Sequence, residues 1–362
     1  IRAQVQSGEQ MPGDALPPMR DLAQALGVNR NTVASAYKRL LEAGLEVSKG
    51  RNGTVIRAFL EQPVQEGGTP GIALLDLAGG NPSATVVAEL LPETFTARIK
   101  PHLYGEPAVS PELETAGRKW LDADLTLPYE LNLTHGAVDA VERLLSSYLI
   151  AGDRVAVEDP CVLGSISTLK NNRLVAAGVP VDEEGMQVEA LESLLLSGVQ
   201  AVIVTPRAHN PTGWGFSAER ARSIRTLLEQ YPQVLVIVDD HFSLLSTHAY
   251  HHVIPQSTRR WALIRSTSKF LGPDLRLAFV ASDRETSLRL QQRLNPGTNW
   301  VSHILQDIVT ASMTSPGMAQ GVEHARTRYQ QQRQQLVDAL KRHGVPVCDK
   351  HDGLNVWVPL TI

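Results

Sequence analysis

Apolar positions change their period twice along this chain. In "PPMRDLAQALGVNRNTVASAYKRLLEAGL", residues 17 to 45, they recur every three or four residues: Met19, Leu22, Ala23 and Leu26, then Val33, Ala36, Tyr37, Leu40 and Leu41. That spacing predicts two amphipathic helices. Gly27 stops the first as a C-terminal glycine does, Asn29 is placed to cap the second, and Gly44 ends it. "LEVSKGRNGTVI" reads as two short strands around a Gly-Arg-Asn-Gly turn. Residues 58–74, "AFLEQPVQEGGTPGIAL", are rich in Gly, Pro and Gln and have no period, which predicts a linker. Beyond it, "RVAVED", "RLVAAGV", "AVIVTP", "VLVIVDD", "RWALIRS" and "RLAFVAS" alternate with longer amphipathic stretches. Such alternation predicts an α/β fold with a mostly parallel sheet. A helical stretch from about 318 to 343 leads into "VPVC" and "LNVWVPL", the expected opening of a small α+β unit. The chain opens on Ile1 and ends where a strand is expected to be under way, so it reads as part of a longer protein.

Composition narrows this picture. The 362 residues, 43% of them hydrophobic, suit a globular domain with one or two smaller units. The longest apolar runs, such as "VLVIV", fall far short of the ~20 residues a membrane span needs. With only Cys161 and Cys348 and no secretory pattern, a reducing cytoplasm is the expected location and a disulfide framework is not expected. The net charge of -4 divides unevenly. Residues 1–60 hold eight Lys/Arg against five Asp/Glu, and the remainder 26 against 33. A basic head on an acidic body points to a polyanion-binding head.

The head has the order helix, turn, helix, hairpin, which can place the second helix in the major groove of DNA. Asn29, Arg30, Asn31 and Thr32 lie at the N-terminus of that helix, where Arg can fork onto guanine and Asn onto adenine. Arg20, Tyr37 and Lys38 suit the phosphate backbone, and Lys49 and Arg51 on the hairpin could reach a neighbouring groove. The segment resembles the winged helix-turn-helix of GntR-type bacterial regulators, with the start of its first helix before Ile1.

In the body, chemistry-bearing residues follow strand after strand. A lysine that condenses with an aldehyde must shed its proton near neutral pH. A pyridine ring used as an electron sink needs a carboxylate at its nitrogen. A phosphate needs backbone N–H groups, hydroxyls and an arginine. "THGAVDAVERLL" sets Gly136 before a helix, and "TPRAHNPTGWGF" carries Asn210 in an Asn-Pro-Thr-Gly turn. "VLVIVDDHF" ends a strand on Asp239, and "RSTSKFLGPDLR" holds Ser266, Ser268, Lys269 and Arg276. Each piece alone has an ordinary reading as a turn, a cap or a surface lysine. Their order, at the carboxyl ends of successive strands, is where open α/β sheets bind ligands.

That ordered set resembles the fold-type I pyridoxal phosphate enzymes of the aminotransferase class, over residues 75–362. The resemblance implies that Lys269 carries pyridoxal 5'-phosphate as an aldimine and that Asp239 pairs with the pyridine nitrogen. It implies further that Asn210 bonds the phenolic oxygen, while Ser266, Ser268, Arg276 and the amides of Gly136, Ala137 and Val138 hold the phosphate. Tyr104 would reach the phosphate of a partner subunit in a homodimer, and "LAGGNP" at 77–82 would lie over the substrate side. Two positions depart from the family. His241 stands where a tyrosine usually bonds the phenolic oxygen, and Cys161 and Val162 stand where an aromatic ring usually stacks on the cofactor. Losing that stack costs about 0.5–1.5 kcal/mol. An imidazole can still donate at the first position, but it ordinarily titrates near neutrality.

The whole chain, with a winged helix-turn-helix at 1–57, a linker at 58–74 and an aminotransferase-like domain at 75–362 with its small subdomain from about 318, resembles the MocR subfamily of GntR-type transcription factors. The expected function is a regulator that binds a double-stranded DNA operator, takes pyridoxal 5'-phosphate on Lys269 as effector, and controls vitamin B6 or amino-compound metabolism. The alternative is a working aminotransferase with an appended DNA-binding head, in which Lys269 would be catalytic; a body serving only for dimerisation is the third reading. No metal site is expected, because His241, His248, His251 and His252 lack the spacing of a ligand set.

Overall fold

The computed structural model describes residues 4, 9–11, 13–42, 46–48, 54–56, 82–90, 102–103, 105–297, 299–348 and 350–359. It divides into two compact units, 1–65 and 66–362. Tyr104, Lys49, Arg51, the expected linker and residues 77–81 lie outside the described residues.

The first unit has the two expected helices, Met19–Leu26 and Arg30–Glu42. Gly27 ends the first in the left-handed region at φ 62°, and its amide donates back to the carbonyls of Ala23 and Gln24. A side chain there would be strained, which is why glycine stops the helix. Asn29 caps the second helix, its Oδ1 accepting from the amide of Asn31 at 2.8 Å. Strands β1, Glu46–Ser48, and β2, Thr54–Ile56, pair antiparallel with Val47 opposite Val55. The segment before the helices joins that hairpin, with Leu16 donating to Thr54 at 2.8 Å and Ile56 to Asp14 at 2.9 Å. Leu16, Ala23, Val33, Tyr37 and Ile56 form the core. Leu26, expected on the buried stripe, is 62% exposed, because the helix ends before its face meets a partner.

The second unit is built on an eight-stranded mixed sheet. Its strands are β3 (Glu130–Thr134), β4 (Arg154–Asp159), β5 (Val175–Asp182), β6 (Gly185–Met186), β7 (Ala201–Val204), β8 (Leu235–Asp239), β9 (Trp261–Ser266) and β10 (Ala278–Ser282). The order is β3-β10-β9-β8-β7-β4-β5-β6. The five strands from β9 to β5 run parallel, while β10 is antiparallel to both β3 and β9. Six strands match the apolar runs in the sequence; β3 and the short β6 were not among them.

Residues alternate between the two faces of each strand. Val155, Val157, Ile203, Leu235, Ile237, Ala262 and Ile264 pack one way, with the helices Ala137–Tyr148 and Arg284–Leu294. Ala156, Val202, Val204, Val236, Val238 and Leu263 pack the other way, with the helices Pro111–Asp122, Val188–Leu196 and Ala218–Leu228. Chain order reverses between β4 and β7, which makes a crevice at the carboxyl ends of those strands.

The expected α+β subdomain is represented by the helix Met318–Arg342. The apolar segments after it, 345–348 and 354–359, form no ladder among the described residues. A strand needs a partner for its backbone groups, and this stretch instead bonds the large domain through Asp352, which accepts from the amide and hydroxyl of Thr247 at 3.1 Å each.

Candidate cofactor site and nucleic-acid interface

A cavity of about 190 Å³ opens at that crevice. Every described member of the set expected from sequence lines it: Gly136, Ala137 and Val138 after β3, Asn210 after β7, Asp239 and His241 at the end of β8, and Ser266, Ser268, Lys269 and Arg276 after β9. Residues more than 130 positions apart in the chain meet there because each follows the carboxyl end of a neighbouring strand.

One end of the cavity suits an anion. The helix Ala137–Tyr148 begins there behind Gly136, which has φ 92° and offers no side-chain cap. Its first amides therefore point outward with the positive end of the helix dipole. Arg276 lies over this terminus; a Cβ on Gly136 would sit 3.8 Å from its guanidinium carbon. Arg276 has a left-handed backbone, φ 46° and ψ 46°, which costs a non-glycine residue about 1–2 kcal/mol and marks a conformation kept for where it sends the side chain. The Ser266 hydroxyl donates to Ser268 Oγ at 3.0 Å and accepts the Ser268 amide at 3.2 Å.

The other end is set by Asp239. Its Oδ1 is buried and accepts no hydrogen bond, and His241 Nδ1 lies 3.9 Å from it. Burial, then the charges of Asp240 and Glu158, push its carboxyl up to about 7, and Lys269 pulls in the opposite direction. A buried acceptor left without a donor costs stability. The donor it suits is an N–H carrying positive charge, as a protonated pyridine nitrogen does. Asn210 has its Oδ1 engaged by Asn355 Nδ2 at 3.2 Å, so what it offers a ligand is its own Nδ2 donor. Anion cradle, lysine, amide donor and a carboxylate oxygen without a donor fit pyridoxal 5'-phosphate.

One expectation changes on this geometry. His241 does not titrate near neutrality: burial and the charge of Lys269 lower it to about 4, so its imidazole is neutral. Cys161 and Val162 do line the cavity in place of an aromatic ring. Burial, with Glu158 and Asp159 nearby, raises the Cys161 thiol to about 11, which leaves it protonated and inert. The sequence reading passed over Glu158 and His209, both buried in the same wall. Glu158 Oε1 accepts the Thr205 amide at 3.0 Å, and Oε2 lies 3.3 Å from His209 Nε2 without forming a hydrogen bond. Glu158 directly follows the apolar residues 155–157, which is a signal for it; His209, in the loop after β7, has none. Among the described residues no group of three or more His, Cys, Asp or Glu is arranged to hold a metal.

In the first unit, Arg20, Asn29, Arg30, Asn31, Thr32 and Lys38 are exposed, with Arg30, Asn31 and Thr32 forming the first turn of their helix. Tyr37 departs from expectation. It is 2% exposed and its hydroxyl donates to the carbonyl of Pro17 at 2.7 Å. Tyr37 is a core residue of the head and presents no hydroxyl to a phosphate.

Comparison with known proteins agrees with both halves. The family of bacterial regulatory proteins named gntR matches residues 1–56, and aminotransferase class I and II matches residues 73–361. The vitamin B6 salvage pathway transcriptional repressor PtsJ of Salmonella typhimurium is 50% identical over 362 residues, covering 99% of this chain and 84% of the repressor. A 2-aminoadipate transaminase of Thermus thermophilus is 27% identical over 320 residues, covering 80% of this chain and 76% of the enzyme. Among solved structures, a kynurenine aminotransferase of Pyrococcus horikoshii superposes with a TM-score of 0.67 at 21% identity over 76% of this chain and 73% of its own, a likeness of fold. With a gntR head, an aminotransferase class I and II body and half its residues shared with PtsJ, the chain belongs to the MocR-type members of the gntR family of bacterial regulators.

Proposed function

We propose that this protein is a DNA-binding transcriptional regulator whose effector is pyridoxal 5'-phosphate, bound to Lys269, and that it acts in vitamin B6 metabolism as a cytoplasmic homodimer. The observation that carries the effector reading is the buried Oδ1 of Asp239, which lacks a donor in a cavity that also holds Lys269 and an anion cradle. The regulatory reading rests on the gntR head and on the 50% identity to a B6 salvage repressor, which also suggests repression as the sign.

When bound, the cofactor supplies an aldehyde that can condense with a lysine amine and a pyridine ring that can bear a proton. The protein's own groups divide the work of holding it. The amides behind Gly136, the hydroxyls of Ser266 and Ser268 and the guanidinium of Arg276 take the phosphate. Asp239 Oδ1 accepts the ring N–H, a contact that replaces an unsatisfied buried charge with a charge-assisted pair. Asn210 Nδ2 and the neutral imidazole of His241 donate to the ring oxygen. Tyr104 of a partner subunit completes the phosphate end. Each of these contacts exists only in the occupied state, so the free energy they release is available to shift the head between DNA-binding states. In the head, Arg30, Asn31 and Thr32 read base edges, while Arg20, Lys38 and the hairpin's Lys49 and Arg51 contact phosphates.

The test is an absorption titration of the full-length protein and of Lys269→Ala with pyridoxal 5'-phosphate, followed by DNA-binding titrations with and without it. A visible band in the wild type, lost in the variant, and a cofactor-dependent change in DNA affinity are expected. If both proteins show free cofactor alone, the effector reading fails. A covalent band without any change in DNA affinity would leave the aminotransferase reading in its place.

A further inference from the structure

We infer that Asn355 is a positioning residue of the cofactor site, fixing the side chain of Asn210 so that its NH2 end, and not its carbonyl, meets an anionic ring oxygen of the ligand. This rests on the proposed binding of pyridoxal 5'-phosphate.

The two ends of an asparagine amide have the same shape and opposite hydrogen-bonding character, so its neighbours alone decide which end a ligand meets. Asn210 Oδ1 accepts from Asn355 Nδ2 at 3.2 Å. That bond holds the acceptor end toward Asn355. Were Asn210 reversed, its carbonyl would face the ligand's oxygen and the two would repel.

Asn355 belongs to a strap, residues 351–355, that is built to sit where it does. The strap's Asp352 is 1% exposed, and besides its bonds to Thr247 it accepts the Ser246 hydroxyl and donates its amide to Gly213 at 2.7 Å. His351 Nδ1 lies 3.1 Å from the Thr212 carbonyl, and Arg333, on the helix Met318–Arg342, donates to the Gly353 carbonyl at 2.8 Å. Two glycines let the backbones close up. A Cβ on Gly213, φ 73°, would come within 2.9 Å of the Asn355 carbonyl oxygen, and one on Gly353, φ 76°, within 2.7 Å of Ala208 Cβ. This close approach between the strap and the turn 208–213 brings the two asparagines within reach.

Two substitutions separate orientation from packing. Asn355→Asp is nearly isosteric, but a carboxylate only accepts; it draws Asn210 Nδ2 toward itself and turns the carbonyl to the ligand. Asn355→Leu removes the bond and leaves the amide able to rotate and donate. Positioning therefore predicts that Asn355→Asp weakens pyridoxal 5'-phosphate binding by about tenfold or more and shifts the visible band toward the near ultraviolet, while Asn355→Leu weakens it by only about two- to threefold. A packing role predicts the reverse rank. Absorption titrations of the full-length variants give the order, with melting of each ligand-free protein as the folding control. In an Asn210→Ala background neither change at position 355 should alter affinity further, and this holds the test open if Asn355→Asp folds poorly. A weaker Asn355→Leu than Asn355→Asp, or an undiminished effect in the Asn210→Ala background, overturns the inference. A wild type that gives no visible band defeats the binding reading itself.

Discussion

Asp239 and Asp240 are consecutive residues at the end of β8 and have opposite surroundings. Strand alternation sends Asp239 to the face of Leu235 and Ile237, which leads into the cavity, and Asp240 to the face of Val236 and Val238. Asp240 is fully buried and saturated: Oδ1 accepts from Arg207 Nε at 2.8 Å, and Oδ2 accepts from an Arg207 terminal nitrogen and from Arg265 Nε at 2.9 Å each. Arg265, also fully buried, continues to the Trp120 carbonyl at 2.7 Å and to Asp124. Tyr250 lies under both guanidiniums at 5.3 and 5.5 Å. Asp239 has no hydrogen bond on Oδ1 at all. β9 repeats the division, with Arg265 in the closed network and Ser266 in the cavity. On one face both oxygens of Asp240 are bonded within the protein. On the other, Asp239 Oδ1 is left without a donor.

The closed face should therefore fail by unfolding, and this is the largest expected effect. Asp240→Ala strands two buried guanidiniums and should lower the free energy of unfolding by about 3–5 kcal/mol, read from urea denaturation. Removing Asp240 and both arginines at once, as Asp240→Leu with Arg207→Met and Arg265→Met, should recover part of that loss, because the stranded guanidiniums are gone and the charge left behind, Asp124, is partly exposed. A triple variant as unstable as the single one would mean that the network contributes more than mutual neutralisation.

The open face should fail by losing ligand while gaining stability. Asp239→Asn removes the charge that meets the ring N–H, and cofactor affinity should fall by about 10- to 100-fold, the span expected for a charge-assisted hydrogen bond. The ligand-free variant should nevertheless be more stable than wild type at pH 8, by up to about 4 kcal/mol. The sign follows from the carboxyl's rise from 3.8 to about 7. Below pH 4 it is protonated in both states and costs nothing; as pH rises toward 7 only the unfolded chain sheds its proton readily, so folding loses stability, and above 7 the loss is complete. The advantage of Asp239→Asn should accordingly open between pH 4 and 7 and stay constant beyond. An advantage that does not vary with pH would remove the raised carboxyl from the comparison.

His241 tilts the other way. Its imidazole falls from 6.5 to about 4, so acid stabilises the unfolded chain, where it protonates, before the folded one. His241→Asn should abolish a loss on the order of 1 kcal/mol between pH 7.5 and 5.5 in the ligand-free protein. The absorbance of the bound cofactor should show no titration belonging to His241 between pH 6 and 8. Such a titration would mean that the ligand, once bound, re-exposes the ring or pairs it with a charge.

How much of this was legible beforehand follows the same division. Lys269, Asp239 and Arg276 could be read in sequence because open-face groups sit at strand ends in stretches whose residue types suit chemistry better than packing. Six of the sheet's strands were legible as apolar runs; five of them are buried on both faces, and β5, exposed on one, was legible from its composition alone. The closed face left no such trace. Arg207, Arg265 and Asp240 look like ordinary charges in a loop and at strand ends, and only the fold shows that three elements bring them together. β3, "ELNLT", does alternate polar and apolar residues, but over five positions only and without the apolar run that marks those six strands. A strand was expected in "LNVWVPL", and the strap at 351–355 that leads into it was not singled out; what holds the strap is a set of side-chain bonds to positions more than 100 residues earlier. His241 lines the cavity, and its imidazole, expected to titrate near neutrality, is lowered to about 4 by burial, which a motif does not record.

The head offers the smallest test of the same rule. Tyr37 had two sequence readings, one as part of the apolar stripe and one as a phosphate contact, and its hydroxyl has a protein partner in the Pro17 carbonyl. It belongs with Asp240, among groups the protein satisfies for itself, whereas Arg30, Asn31 and Thr32 stand exposed like the cavity's donors. Tyr37→Phe keeps the ring in the core beside Leu16 and Val33 and deletes one hydrogen bond, so it should cost the head about 0.5–1.5 kcal/mol in thermal or urea unfolding. At temperatures where the head stays folded, DNA affinity and its salt dependence should remain those of wild type, since a lost phosphate contact would flatten the salt slope. Arg30→Ala should do the reverse, weakening DNA binding with the melting temperature unchanged. If Tyr37→Phe flattens the salt slope, the hydroxyl leaves Pro17 when DNA is bound, and in this head the line between closed and open groups moves with the ligand.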